Sequence, residues 1–203
     1  MDIVLILLAL ALVLQVLRAR YQRAHIALLG SHLANLQLER HMETLTQGYA
    51  RAIHEPSEIR QLQVLETFTQ AERAVAAQAQ SLAKSMRQES QAATAMGNFA
   101  ICIPYLERLL PEATRDFRIL LAIHAAGLRH VVDNVEGWDA KQRAYHLSAE
   151  LYLFQHSCHW YCKSRLVADA RLQVRHQVTR QKVLESVSDV TRTAYLRWQN
   201  GGA

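Results

Sequence analysis

Ile3 to Leu17 reads IVLILLALALVLQVL, and Gln15 is the only polar side chain in those fifteen residues. No other stretch restricts the fold so strongly. A helix that is apolar all round needs either a large core or lipid around it. As a helix the run covers about 22 Å at roughly 1.5 Å per residue, short of the about 30 Å of a bilayer's hydrocarbon layer. Met1 adds apolar length, Tyr21 suits the interface, and Arg18 and Arg20 can snorkel with their stems in lipid. The run therefore predicts a retained membrane anchor. A cleaved signal peptide would carry positive charge before its apolar core and small residues after it. Here Met1-Asp2 precedes the run and Arg-Ala-Arg-Tyr follows it.

Basic residues beside a span favour the cytoplasmic side. Arg18, Arg20 and Arg23 all follow the run, so the expectation is N-terminus out and the rest of the chain in the cytoplasm. Cys102, Cys158 and Cys162 would then be thiols in a reducing compartment.

Beyond the anchor the sequence predicts an all-α body. Three Pro and seven Gly are few for 203 residues, and the abundant Ala, Leu, Gln, Arg and Glu favour helices. Net charge is +5. Residues 163–203 hold eight basic and three acidic side chains, which accounts for the whole excess. Arginines outnumber lysines nineteen to four, a composition that points to a GC-rich bacterial genome and hence to a bacterial inner membrane.

Four segments are expected: an anchor over 1–20, a long coiled-coil-like hairpin over 21–97, a bundle portion over 98–198 ending in a basic helix, and a loose tail over 199–203. A heptad-like stripe runs Leu14, Leu17, Tyr21, Ala24, Leu28, Ser31, Asn35, Leu38, Met42, Leu45, Tyr49 and Ala52. A second stripe, Leu29, Leu33 and Leu36, competes with it. Pro56 ends that helix. A second helix is expected over 57–96, an apolar connector over 99–111, and a third helix over 112–135. The third turns Phe117, Leu120, Leu121, Ile123, His124, Leu128, Val131 and Val132 inward. Asp139 with Gln142 reads as a capping box, opening a fourth helix over 140–184 with Leu166, Val167, Ala170, Val174, Val178 and Leu184 near one face. A fifth is expected over 189–198.

The densest group of reactive side chains is His156-Ser157-Cys158-His159-Trp160-Tyr161-Cys162. Cys158, His159 and Cys162 share one helical turn, and thiolate with imidazole suits zinc. Two cysteines on one helix supply only two ligands, so Cys102, His124, His130 or His146 would have to join them. The competing expectation is that the cysteines are small core hydrophobes and that no cofactor is bound, with zinc or haem as the alternative. His146 and Glu150, one turn apart, read as an ordinary helix pair. Phosphate-loop, dinucleotide, metalloprotease and nucleophile-elbow motifs are absent.

The basic set Arg18, Arg20, Arg23, Arg171, Arg175 and Lys182 is expected to face water or an anionic lipid surface. Nucleic acid is not an expected partner, because the arginine spacing follows no base-reading motif. The functional expectation is a non-enzymatic, membrane-tethered scaffold that self-associates or docks a protein partner. The alternatives are an accessory subunit whose apolar 99–132 region packs on another chain, or a metal- or haem-binding sensor.

Overall fold

The computed structural model describes residues 2–202, so the expected contribution of Met1 to the apolar run lies outside the described residues, as does Ala203. Among the described residues the chain is all-α apart from one small antiparallel pair of strands. Helix α1 spans Asp2–Leu33 without a break. It is followed by α2 (Leu38–Ile53), α3 (Glu58–Glu66), α4 (Thr69–Met86) and α5 (Gln91–Thr94). Strand β1 (Ala95–Gly97) leads into the connector that holds α6 (Leu106–Leu109). Then come β2 (Thr114–Asp116), α7 (Phe117–Asp133), α8 (Ala140–Cys162), α9 (Arg165–His176), α10 (Arg180–Ser186) and α11 (Asp189–Gln199).

Residues 2–16 are exposed along their whole length, and none of the apolar window of α1 is buried by protein. The second half of the same helix is packed. Leu29 and His25 are buried, and Leu28 and Leu33 are partly so. The His25 ring stacks on Tyr161, with 4.3 Å between ring centres. The helix therefore leaves the body as a continuous rod.

The single helix expected up to Pro56 is two helices, with a break at residues 34–37. The break exchanges one stripe for the other. Within α1 the heptad positions Ala24 and Ser31 face water and Tyr21 and Leu28 are half-buried, while Leu29 is buried and Leu33 half-buried; in the break Asn35 is exposed and Leu36 half-buried. Within α2 the heptad positions Leu38, Met42, Leu45, Tyr49 and Ala52 are all buried. A straight helix could not bury both stripes on one neighbour. Asn35, which favours local non-helical hydrogen bonding, sits at the change of face.

The second expected helix is also divided. It breaks at Phe68, whose ring lies over Gly48 of α2 at a distance that a Cβ there would violate, and α4 ends at Met86 rather than Met96. Residues 95–97 form β1 instead, with Ala95 opposite Asp116 and Gly97 opposite Thr114. Helix α7 buries Phe117, Leu120, Leu121, His124, Leu128 and Val131, with Ile123 and Val132 half-buried. Its C-cap is Asn134, in the left-handed region at φ 52°.

Helix α8 is central, with α7, α9, α10, α2 and α1 packed against it. The Asp139 carboxylate accepts from the Gln142 N–H at 2.8 Å, and the Asp139 N–H donates back to the Gln142 side chain. The expected continuation to Leu184 does not occur. Lys163 leaves helical geometry, Ser164 caps α9, and Thr179 caps α10. Each cap resets the helical phase. Within α9 the buried residues are therefore Ala168 and Leu172, whereas Leu166, Ala170 and Val174 face water. The tail is seated rather than loose through Gly202. Gln199 O accepts from Asn98 Nδ2 and Arg115 Nε, and the Gly202 N–H donates to Arg197 O.

The body has two ends. Because α1 runs antiparallel to α8, Gln22 meets Lys163 and His25 meets Tyr161. The connector, the two strands, the start of α9 and the end of α11 gather where the exposed rod emerges. The loops 54–57 and 134–139 lie at the far end.

Candidate functional site

The interior holds an unusual amount of polar chemistry. His124 and Ser157 face each other at 2.9 Å between Nε2 and Oγ, both fully buried. The His124 Nδ1 has no partner. The pair resembles a base beside a hydroxyl, but no third group orients the imidazole and the serine is closed off from solvent. Burial, with His156 adding to it, depresses the His124 pKa to about 3, so the ring is neutral at physiological pH. His156 meets the Asp169 carboxylate at 2.8 Å, and Arg180 approaches the same oxygen at 3.6 Å. These contacts lock α9 and α10 onto α8.

Glu150, expected to pair with His146 on an open helix surface, is wholly buried. Its Oε1 accepts from the N–H and hydroxyl of Ser188, the cap of α11, at 3.1 and 2.8 Å. Gly127 makes room for it, since a Cβ there would lie 2.7 Å from Glu150 Oε2 and closer still to Thr191. His146 instead stacks on Trp138 and meets Ser186 O.

Burial raises the Glu150 pKa from 4.5 to about 7, opposed by its hydrogen bonds from α11. A carboxyl raised on folding favours the native state while it is protonated in both states. It loses that advantage as pH climbs from its unfolded value through its folded one. The Gln side chain keeps the acceptor for Ser188 and has no proton to lose. Glu150→Gln is therefore expected to stabilise the body at about pH 8 by up to roughly 3 kcal/mol and to change little near pH 4. Urea midpoints at the two pH values check this. His124 has the opposite sign, its contribution being lost as pH falls from 6.5 through about 3. In the variant only this acid-side loss should remain, with His25, His159 and His176, whose pKa values burial also lowers, adding to it in the same direction.

Cys158, His159 and Cys162 do lie together on the last turns of α8. Cys158 and His159 line an open apolar cavity of about 170 Å³ with Met42, Tyr152 and His176. The Arg171 guanidinium donates to His159 Nδ1 at 3.2 Å. Burial, then Arg171, His156 and Arg175, lower the His159 pKa to about 4. Its Nδ1 lone pair is thus engaged, and metal binding there would have to displace Arg171. Burial pushes the Cys158 thiol well up and the Cys162 thiol to about 11, so both are protonated at neutral pH. The additional ligands do not arrive: His124 is bonded to Ser157, His130 and His146 flank Trp138 near the far end, and Cys102 lies on the connector. Among the described residues no three His, Cys, Asp or Glu side chains converge as a metal ion requires.

The basic candidates separate into two places. Arg18, Arg20 and Arg23 ring α1 where it leaves the body. Arg171 is engaged with His159, Arg175 pairs with Glu43 at 3.7 Å, and Lys182 borders the groove between α2 and α10. Helix α9 starts at the rod end and leads away, so Arg175 is about 15 Å further down than Arg165.

Two groupings escaped the sequence. One is the buried Tyr49–Glu72–Arg143 chain, whose members lie on three helices. The other is the apolar surface of the connector. The run FAICIPYLERLLP did advertise its hydrophobicity, but not that part of it would face outward. No protein-family model, curated protein or solved structure matches this chain.

Proposed function

We propose that this chain is a non-enzymatic, membrane-anchored helical scaffold whose body is held at the cytoplasmic face and binds a protein partner or a second copy of itself. The observation that carries this reading is the division of α1. One half is bare and apolar, and the other half is packed into the body of the same unbroken helix. A flexible linker would let the body wander, whereas a continuous helix fixes its height and tilt relative to the span. The arginines that follow the run support an inner-side body by the positive-inside tendency.

An antiparallel arrangement built on α8, with the groove between α2 and the α9–α10 segment open to solvent, supports partner docking. The cavities of about 170 and 310 Å³ along that groove are lined largely by apolar side chains. Chemical cross-linking in native membranes, then sizing of the detergent-solubilised chain, tests the proposal. A dimer or a stoichiometric complex with another protein is the expected result. A strict monomer with no cross-linked partner would overturn it.

A further inference from the structure

The end of the body from which α1 emerges carries a second apolar feature. Phe99, Ile101, Leu109 and Leu110 of the connector and Leu166 of α9 are exposed there, Leu109 by 72% and Leu166 by 58%. All five belong to segments at this end of the body. The Leu166 N–H donates to Ala100 O at 2.9 Å, which fastens the connector to the first turn of α9. Tyr105 sits at φ 59°, a left-handed conformation uncommon for a residue with a large side chain. That turn sets α6 back against β1, with Leu106 buried below and Leu109 outward.

The surface adjoins the emerging rod directly. The Tyr21 hydroxyl donates to Ala95 O and Glu107 at 3.3 Å, and its ring meets Tyr105 edge-on. Gln22 donates to Lys163 O at 3.1 Å. Positive charge surrounds it: Arg18 and Arg20 on α1, Arg108 on α6, and Lys163 with Arg165 at the start of α9. On the acidic side, Glu107 accepts from Tyr21 and Asp116 is held by Arg118 at 2.6 Å, leaving Glu112 exposed. At the far end the charges are mixed and largely paired, Glu55 with Arg60, Glu58 with Lys141 and Asp133 with Arg129. The rod end is distinguished by basic side chains that rim an exposed apolar surface directly beside the emerging helix.

We propose that the connector 99–110, with Leu166, is a second membrane contact that seats in the anionic lipid interface beside α1. This rests on the reading of α1 as a span. The occupant is lipid because the surface is continuous with the segment assigned to the bilayer. Its rim also has the charge that attracts anionic headgroups, and side chains of this kind enter the headgroup boundary by roughly 5–10 Å. Two contacts on one rigid body fix its rotation about α1, which a single span cannot do. The open groove of α2, α9 and α10 is then presented sideways, parallel to the membrane, to a partner.

The test uses full-length protein reconstituted in vesicles of phosphatidylcholine containing a quarter phosphatidylglycerol. In half of the samples the phosphatidylcholine carries bromine on its acyl chains near the headgroup. Tryptophan is introduced singly by Phe99→Trp, Leu110→Trp, Leu8→Trp and Val135→Trp, and the emission of the parent protein is subtracted. The expected result is roughly twofold quenching at positions 99 and 110, quenching at position 8, and none at 135. Quenching at position 8 with 99 and 110 as bright as 135 would overturn the second contact and leave the span standing. Blue-shifted but unquenched emission at 99 and 110 would overturn it too, by showing that protein, such as a second copy, covers the surface. If position 8 is itself unquenched, the span fails and the second contact fails with it.

Discussion

Leu8→Arg is expected to shift the chain from the membrane fraction to the soluble fraction. The apolar run covers about 22 Å of an about 30 Å hydrocarbon layer and holds little in reserve. An arginine at its centre costs about 2.5–3.5 kcal/mol on insertion scales, and the leucine it replaces contributes about half a kcal/mol the other way. Together these move insertion by more than roughly a hundredfold. The body should not notice the change, because Leu8 touches none of it and is 62% exposed without lipid. Fractionation of membranes, with a thermal melt of the body as control, reads both effects. Loss of the melt together with loss of membrane binding would mean that the run is a structural part of the body. Leu8→Ile should leave both unchanged.

The largest loss of stability is expected from Arg143→Ala. Glu72 is only 2% exposed. Its Oε1 accepts from the Tyr49 hydroxyl at 2.5 Å, and its Oε2 meets Arg143 Nη2 at 3.3 Å. Burial and the adjoining carboxylate hold the Tyr49 phenol far above its ordinary pKa, so it remains a donor at every physiological pH. Removing Arg143 leaves a buried carboxylate with one neutral donor, a defect that typically costs 3–5 kcal/mol, of order 3 or more here. Arg129→Ala is the control. Its pair with Asp133 is a half-exposed contact one helical turn apart, and its loss should cost about 0.5 kcal/mol or less. Urea titration of the two variants in the same detergent separates them. Equal effects would show that the Glu72 chain is not a buried ionic network.

These two effects differ in how visible they were beforehand. Leu8 lies in a run that any reading of hydrophobicity finds, and the capping box of Asp139 and Gln142 has a local spacing that needs no tertiary information. The inward face of α7 was legible for the same reason, since 3.6-residue periodicity is written into consecutive side chains. The Glu72 chain was not legible because Tyr49, Glu72 and Arg143 come from α2, α4 and α8. Nor were the helix breaks at 34–37, at Phe68 and at 163–164, none of which carries a Pro or Gly. Each of these breaks is set by packing. The first lets α2 turn a different stripe to the core, the second places Phe68 over Gly48, and the third lets Ser164 cap a new helix. A stripe read across such a break, like the one drawn through Leu166, Ala170 and Val174, inherits the wrong phase. The strands of three residues each were too short for an alternating pattern to register.

The central claim is that α1 crosses a bilayer and holds the body on its inner side. Protease added to sealed membrane vesicles carrying the full-length chain tests it most directly. The body should be digested in inside-out vesicles and protected in right-side-out ones, with the undigested chain remaining in the membrane pellet after a high-salt wash. Digestion in right-side-out vesicles, or release of intact chain by the wash, would contradict it.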